Sequence, residues 1–239
     1  MNLEADHVGR HLEELRRRVV VSLLAIVGAS VTAYIFSEPI TRFFLSPLFA
    51  AQPALKTLIY TNLTEAFTTY IKVALLVGII CSYPVLLFQA WMFVAPGLLA
   101  HEKKLINRVL FWATALFGGG VLFAFFVVLP RMLIFFLGFS TAELEPLPRL
   151  SGYLTFVART CLAFGLAFEI PFLMVMATRT GLVSGQEFQL KRKYYYPAIL
   201  LLSFLLAAGD FMAAGLLAIP LFGLYEAGIL IIKIFSSPA

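Results

Sequence analysis

His7 and His11 stand four apart in HVGRH, a spacing that puts two imidazoles on one helical face, but the segment lacks the glutamate of a zinc-protease helix. A metal role is not expected there. No G-x-S-x-G elbow, Walker loop or dinucleotide fingerprint occurs, and Gly118 to Gly120 read as close helix packing in lipid rather than a phosphate cradle. Cys81 and Cys161 lie inside apolar runs with no C-x-x-C pair, so they read as buried thiols. What remains is carboxylates and guanidiniums. Glu13 and Glu14 each have an arginine four residues on, Arg17 and Arg18, which suits a charged helix start. Phe93 and Glu102 lie on either side of Pro96-Gly97 in FQAWMFVAPGLLAHEKK, where an apolar run ends near a membrane surface. Glu169 sits deep inside another apolar run, and Arg159, ten residues earlier, is about 15 Å away along a helix, too far to pair. A carboxylate at that depth must be protonated, hydrated or paired, which makes Glu169 a functional candidate by default.

The solvent around these groups follows from the composition. Of 239 residues, 61% are hydrophobic and 13% charged, against about 25% charged in an ordinary soluble domain. Eighteen basic and thirteen acidic residues cannot coat a globule of this size, so most of the surface must face lipid, and a soluble enzyme is excluded. The net charge of +5 fits basic cytoplasmic loops, and nucleic acid is set aside as a partner. The first eighteen residues carry four acids and no small-residue cleavage site, so neither a secretory signal nor a transit peptide fits.

The hydropathy pattern predicts an all-α polytopic membrane protein with six transmembrane helices in one domain, 1–239, at about 19–37, 65–94, 105–138, 153–178, 194–208 and 211–232. The stretch 38–62, with Pro39, Pro47 and Pro53, is expected to hold short helices or turns outside the membrane. A kink or tilt is expected at Pro84, and a bend near Pro130. The fourth run is expected to be the only span with a carboxylate near mid-depth. The fifth and sixth helices are expected to be short, with local thinning of the bilayer around them.

The basic residues set the orientation. Arg10, Arg16, Arg17 and Arg18 precede the first span; Lys103, Lys104 and Arg108 follow the second; Arg179, Lys191, Arg192 and Lys193 follow the fourth; Lys233 closes the sixth. The positive-inside rule therefore puts both termini in the cytoplasm.

HLEELRRR before the first span, SYPVLLFQAWMFVAPGL and HEKK around the first cytoplasmic loop, FAFFVVLP, FGLAFEIP and LLAIPLFGLYE in the third, fourth and sixth spans together resemble TatC, the core of the twin-arginine protein translocase. The resemblance covers nearly the whole chain, in order. It implies a concave, glove-like bundle in a prokaryotic inner membrane that recognises the twin-arginine signal peptides of folded cargo. It further implies transport driven by the proton motive force, self-association, partnership with TatA and usually TatB, and no cofactor or enzymatic activity. Residue by residue, it implies signal-peptide contacts at Glu14, Arg16, Phe93 and Glu102. Glu169 would be the intramembrane glutamate, facing a wet concavity that receives a partner's polar side chain. Glu65 and Asp210 match polar positions at the outer ends of the second and fifth spans, although end-capping or a solvated turn explains both as well, and Pro84 is a further candidate.

Phe125 stands where members often have tyrosine, and Asn62 where some have an acid, so less weight falls on these two sites. The competing expectation is a six-span, proton-coupled secondary transporter of a small solute with Glu169 as proton carrier.

Overall fold

The computed structural model describes the backbone of residues 3–53, 55, 57–60, 62–94, 106–139, 147–179, 181–207 and 210–235, with side chains described for these except 3–11, 94, 106–107 and 235. The helices are α1 (Leu3–Ile35), α2 (Ser37–Ala51), α3 (Glu65–Val94), α4 (Ile106–Phe123), a π-helical turn (Ala124–Val128), α5 (Leu129–Leu137), α6 (Leu150–Arg179), α7 (Gly185–Leu190), α8 (Arg192–Leu206) and α9 (Phe211–Phe235). Among the described residues no strand forms beyond one bridge, Ile59 with Arg149. Contacts divide the chain into two units, Met1–Phe43 with Asn62–Ala115 and Phe44–Thr61 with Leu116–Ala239.

In the first unit α1 packs along α3. The two backbones approach closely because Gly78 of α3 has no side chain; a Cβ there would fall 2.8 Å from the Cα of Ser30. Small residues serve this purpose in lipid, where burying another leucine gains nothing over acyl chains. The charged N-terminal segment and the first apolar run are one continuous helix, and Leu23, Leu24, Val27 and Val31 remain exposed on it. Glu65 is buried in the first turn of α3, where a carboxylate faces the positive end of the helix. The helix runs unbroken through Pro84, whose own side chain is exposed.

The second unit is built on crossings made the same way. A Cβ on Gly120 of α4 would lie 2.9 Å from the carbonyl carbon of Phe164 and 3.0 Å from Gly165 Cα, both on α6. Gly228 of α9 lies similarly close to Pro171 and Met174 of α6. Between α4 and α5 the backbone takes one π turn, in which the Leu129 N–H donates to the carbonyl of Ala124. The widened turn directly precedes Pro130, whose ring cannot fit the α-helical register of the preceding turn and has no N–H to donate. Phe125 within that turn is buried and meets Phe44 edge-to-face at 5.7 Å, so its surroundings are aromatic rather than polar. The Tyr153 hydroxyl donates to the carbonyl of Phe44 at 2.9 Å and fixes the start of α6 on α2.

The two helices expected to be short differ. At 15 residues α8 spans about 22 Å, less than a hydrocarbon core of about 30 Å. The sixth helix corrects the expectation: α9 has 25 residues and runs on to Phe235, and Phe211–Ile234 is apolar and long enough to cross. Five helical segments meet that criterion among the described residues, the others being Leu12–Ile35, Glu65–Phe93, Arg108–Leu137 and Leu150–Arg179. The fourth run also begins earlier than hydropathy suggests, because the Ile59 bridge and the Leu150 N–H to Ile59 carbonyl bond, 3.1 Å, anchor the helix start.

Asp210 caps α9. Its Oδ1 accepts from the N–H groups of Met212 at 2.8 Å and Ala213 at 3.1 Å, two donors the helix cannot satisfy itself. Asp210→Ala should therefore cost about 1 kcal/mol. The measurement is the thermal unfolding midpoint of the purified protein, which Asp210→Ala should lower and Asp210→Asn should leave near the wild-type value.

Candidate functional site

Arg18, on α1, places its guanidinium between two helices. Its Nε donates to Glu14 Oε1 at 3.2 Å and its Nη2 bonds the same oxygen, while Nη1 reaches Gln89 Oε1 of α3 at 3.5 Å. One helical turn on α1 thus presents the carboxylate, and α3 supplies the amide that holds the cation from the other side. Among the described residues both bonds to Glu14 fall on Oε1 and none on Oε2. The Glu14 side chain is 35% exposed and Arg18 17%. Glu14, Arg17, Arg18, Val21 and Gln89 line a cavity of about 290 Å³. Such a cavity offers a carboxylate with one oxygen unbonded among the described residues, beside Val21 and fixed polar groups, an arrangement suited to a guanidinium.

Of the residues expected here, Glu14 lines the cavity. Arg16 is exposed and does not line it; Arg17 and Arg18 do. Phe93 is half-buried one turn beyond Gln89 on α3. Glu102 lies outside the described residues. Gln89 is a part of the site that the sequence reading missed; its signal is its place four residues before Phe93 inside an apolar run, on the same helical face.

Glu169 is 6% exposed in α6, two residues before Pro171, and its surroundings engage it. A partner's side chain would therefore meet it only by displacing what covers it. A second carboxylate stands within an apolar helix, at the end where α8 begins rather than near mid-depth. Glu226 lies inside α9 and accepts from Arg192 Nη2 at 2.6 Å and from the Tyr196 hydroxyl at 2.7 Å, both on α8. The Tyr225 hydroxyl donates to the Phe188 carbonyl at 2.7 Å, so α7, α8 and α9 are joined at one end. This polar knot holds the short helix in place where hydrophobic burial in lipid cannot. The signal is present in LLAIPLFGLYE, an acid in an otherwise apolar run.

Among the described residues no group of three His, Cys, Asp or Glu side chains could hold a metal ion. Helices of membrane length, crossings made by glycine and charge gathered at helix ends and polar knots define a polytopic α-helical membrane protein.

Within that class the chain belongs to the TatC family: the family model of the Sec-independent protein translocase protein (TatC) matches residues 10–220. The Sec-independent protein translocase protein TatC of Desulforapulum autotrophicum is 39% identical over 225 residues, covering 94% of this chain and 83% of that protein. The TatC of Escherichia coli K12 is 33% identical over 219 residues, covering 92% and 85%. A crystal structure described as the twin arginine translocase receptor TatC superposes with a TM-score of 0.84 at 34% identity, covering 94% of this chain and 98% of that one. Membership of this family replaces the small-solute transporter as the reading of the chain.

Proposed function

We propose that this protein is the twin-arginine signal-peptide receptor and core of a translocase that moves folded proteins across the cytoplasmic membrane, driven by the proton motive force. It acts by binding and assembly, not by catalysis. The whole chain, 1–239, serves as one transmembrane domain with six crossings, in which α8 is the short fifth, and both termini lie in the cytoplasm. TatA and TatB dock on it, and copies self-associate. The distribution of basic residues supports the orientation, and the likeness to solved TatC receptors supports the role.

The observation that carries the reading is the partly exposed Glu14 carboxylate, held by Arg18 through Oε1, in its cavity between α1 and α3. An arginine pair entering there replaces water with charge-assisted bonds, and lysine cannot reproduce the fork. Glu102, Phe93 and Arg16 belong to the same receptor surface in this proposal, and Glu169 contacts a membrane helix of a partner. Glu65 and Pro84 shape α3, which carries Gln89. The test is saturable binding of a twin-arginine signal peptide to the purified protein. Replacement of the peptide's arginines by lysines and Glu102→Ala should each weaken it; equal binding of the Arg-Arg and Lys-Lys peptides would refute the receptor reading.

A further inference from the structure

The second unit contains a larger cavity, about 430 Å³, that has no place in signal-peptide binding as proposed above. It is lined by Arg149, Ser151, Gly152, Thr155, Phe156 and Arg159 around the α6 start, and by Leu206 and Ala207 where α8 ends. The geometry has a simple cause. Because α8 stops after 15 residues, it leaves the flank of α6 uncovered below the point that a full-length helix would reach. Arg159 is exposed there, about 13 Å along α6 from Leu150, and is neither hydrogen-bonded nor ion-paired to any described residue. A guanidinium at such depth in an apolar helix is costly unless water or an anion reaches it.

From this geometry we infer that the cavity between the α6 start and the α8 end binds a phosphate-bearing anion, either a lipid headgroup of that leaflet or free phosphate. Among the described residues that line this space none is acidic, and the Arg159 guanidinium brings into it a positive charge that an anion relieves. The Thr155 hydroxyl lines the same space and can donate, and the N-terminal end of α6 adds its positive dipole. Arginine's planar fork fits two phosphate oxygens. Phe156 and Leu206 supply apolar wall for the carbons attached to a headgroup phosphate. The volume lies in the range of small-ligand sites. Neither the orientation of the chain in the membrane nor its receptor role enters this inference, since phospholipid occupies both leaflets.

The experiment uses the full-length purified protein, stripped of lipid in detergent. Phosphatidylglycerol retention is followed by native mass spectrometry, and thermal unfolding is followed with phosphatidylglycerol or inorganic phosphate added. Wild type should retain the lipid and unfold at a higher temperature with it. Arg159→Gln should bind it on the order of tenfold more weakly while unfolding normally without lipid. Leu206→Trp, which fills the cavity from the α8 side with Arg159 intact, should also lower retention. If only inorganic phosphate stabilises wild type, and Arg159→Gln abolishes that effect, the ligand is the free anion. Binding of both probes to Arg159→Gln at wild-type strength overturns the site.

Discussion

Gly120→Leu should abolish stable folding of the second unit, while the same substitution at Gly118 or Gly119 should leave it folded. At Gly120 the first side-chain carbon already meets the α6 backbone, 2.9 Å from the Phe164 carbonyl carbon and 3.0 Å from Gly165 Cα. Backbone cannot rotate away as a side chain can. Across the same crossing Gly165 accommodates the ring of Phe117, so neither helix can slide to make room: a Cβ on Gly165 would lie 2.7 Å from that ring. Overpacking a tight interior costs about 1–3 kcal/mol for extra methylenes, and a whole leucine side chain pressed against main chain exceeds that range. At Gly118 and Gly119 a Cβ would have nothing within 4 Å. Alanine sharpens the contrast, since in peptides it favours helix over glycine by about 1 kcal/mol. Gly118→Ala and Gly119→Ala should hold or raise the unfolding midpoint, and Gly120→Ala should lower it. Equal midpoints for all three alanine variants would mean that α4 and α6 do not cross at Gly120.

That triplet shows what the sequence could and could not disclose. Three consecutive glycines in an apolar run announce close packing, because lipid offers no other reason to tolerate their entropy. Which of the three makes the contact depends on the rotational phase of α4 against α6, and the partner residues lie on a helix far along the chain. The end of α8 was legible for a different reason, since Gly209-Asp210 interrupts hydropathy where the structure shows a cap. Hydropathy misleads at the far end of α9, where the helix continues through Lys233 because a lysine can extend its ammonium to the interface. At the candidate site, Glu14 and Arg18 were legible as a four-residue pair on one helix. Gln89 was not, because its contact with Arg18 is made across two helices separated by 71 positions.

Glu14→Ala should weaken twin-arginine peptide binding by about tenfold to a hundredfold, the range expected when a hydrogen-bonded charge worth about 1.5–3 kcal/mol is removed. Arg18→Gln should not. Arg18 spends two of its donors on Oε1 of Glu14, which orients the carboxylate, but its charge also opposes an incoming guanidinium in the same cavity. With glutamine at 18, Glu14 loses a competitor and the cavity loses a positive charge, while Gln89 remains on the facing helix. Peptide affinity should hold or rise. Glu14→Gln separates charge from shape: it keeps an acceptor of the same size and should still lose most of the binding. Added salt should weaken the wild-type complex more than the Glu14→Gln complex, because the former has one more carboxylate to screen. The measurement is a peptide titration of the detergent-solubilised wild type and the three variants at two ionic strengths. If Arg18→Gln loses as much affinity as Glu14→Ala, the pair is a clamp joining α1 to α3, and the peptide's arginines bind elsewhere.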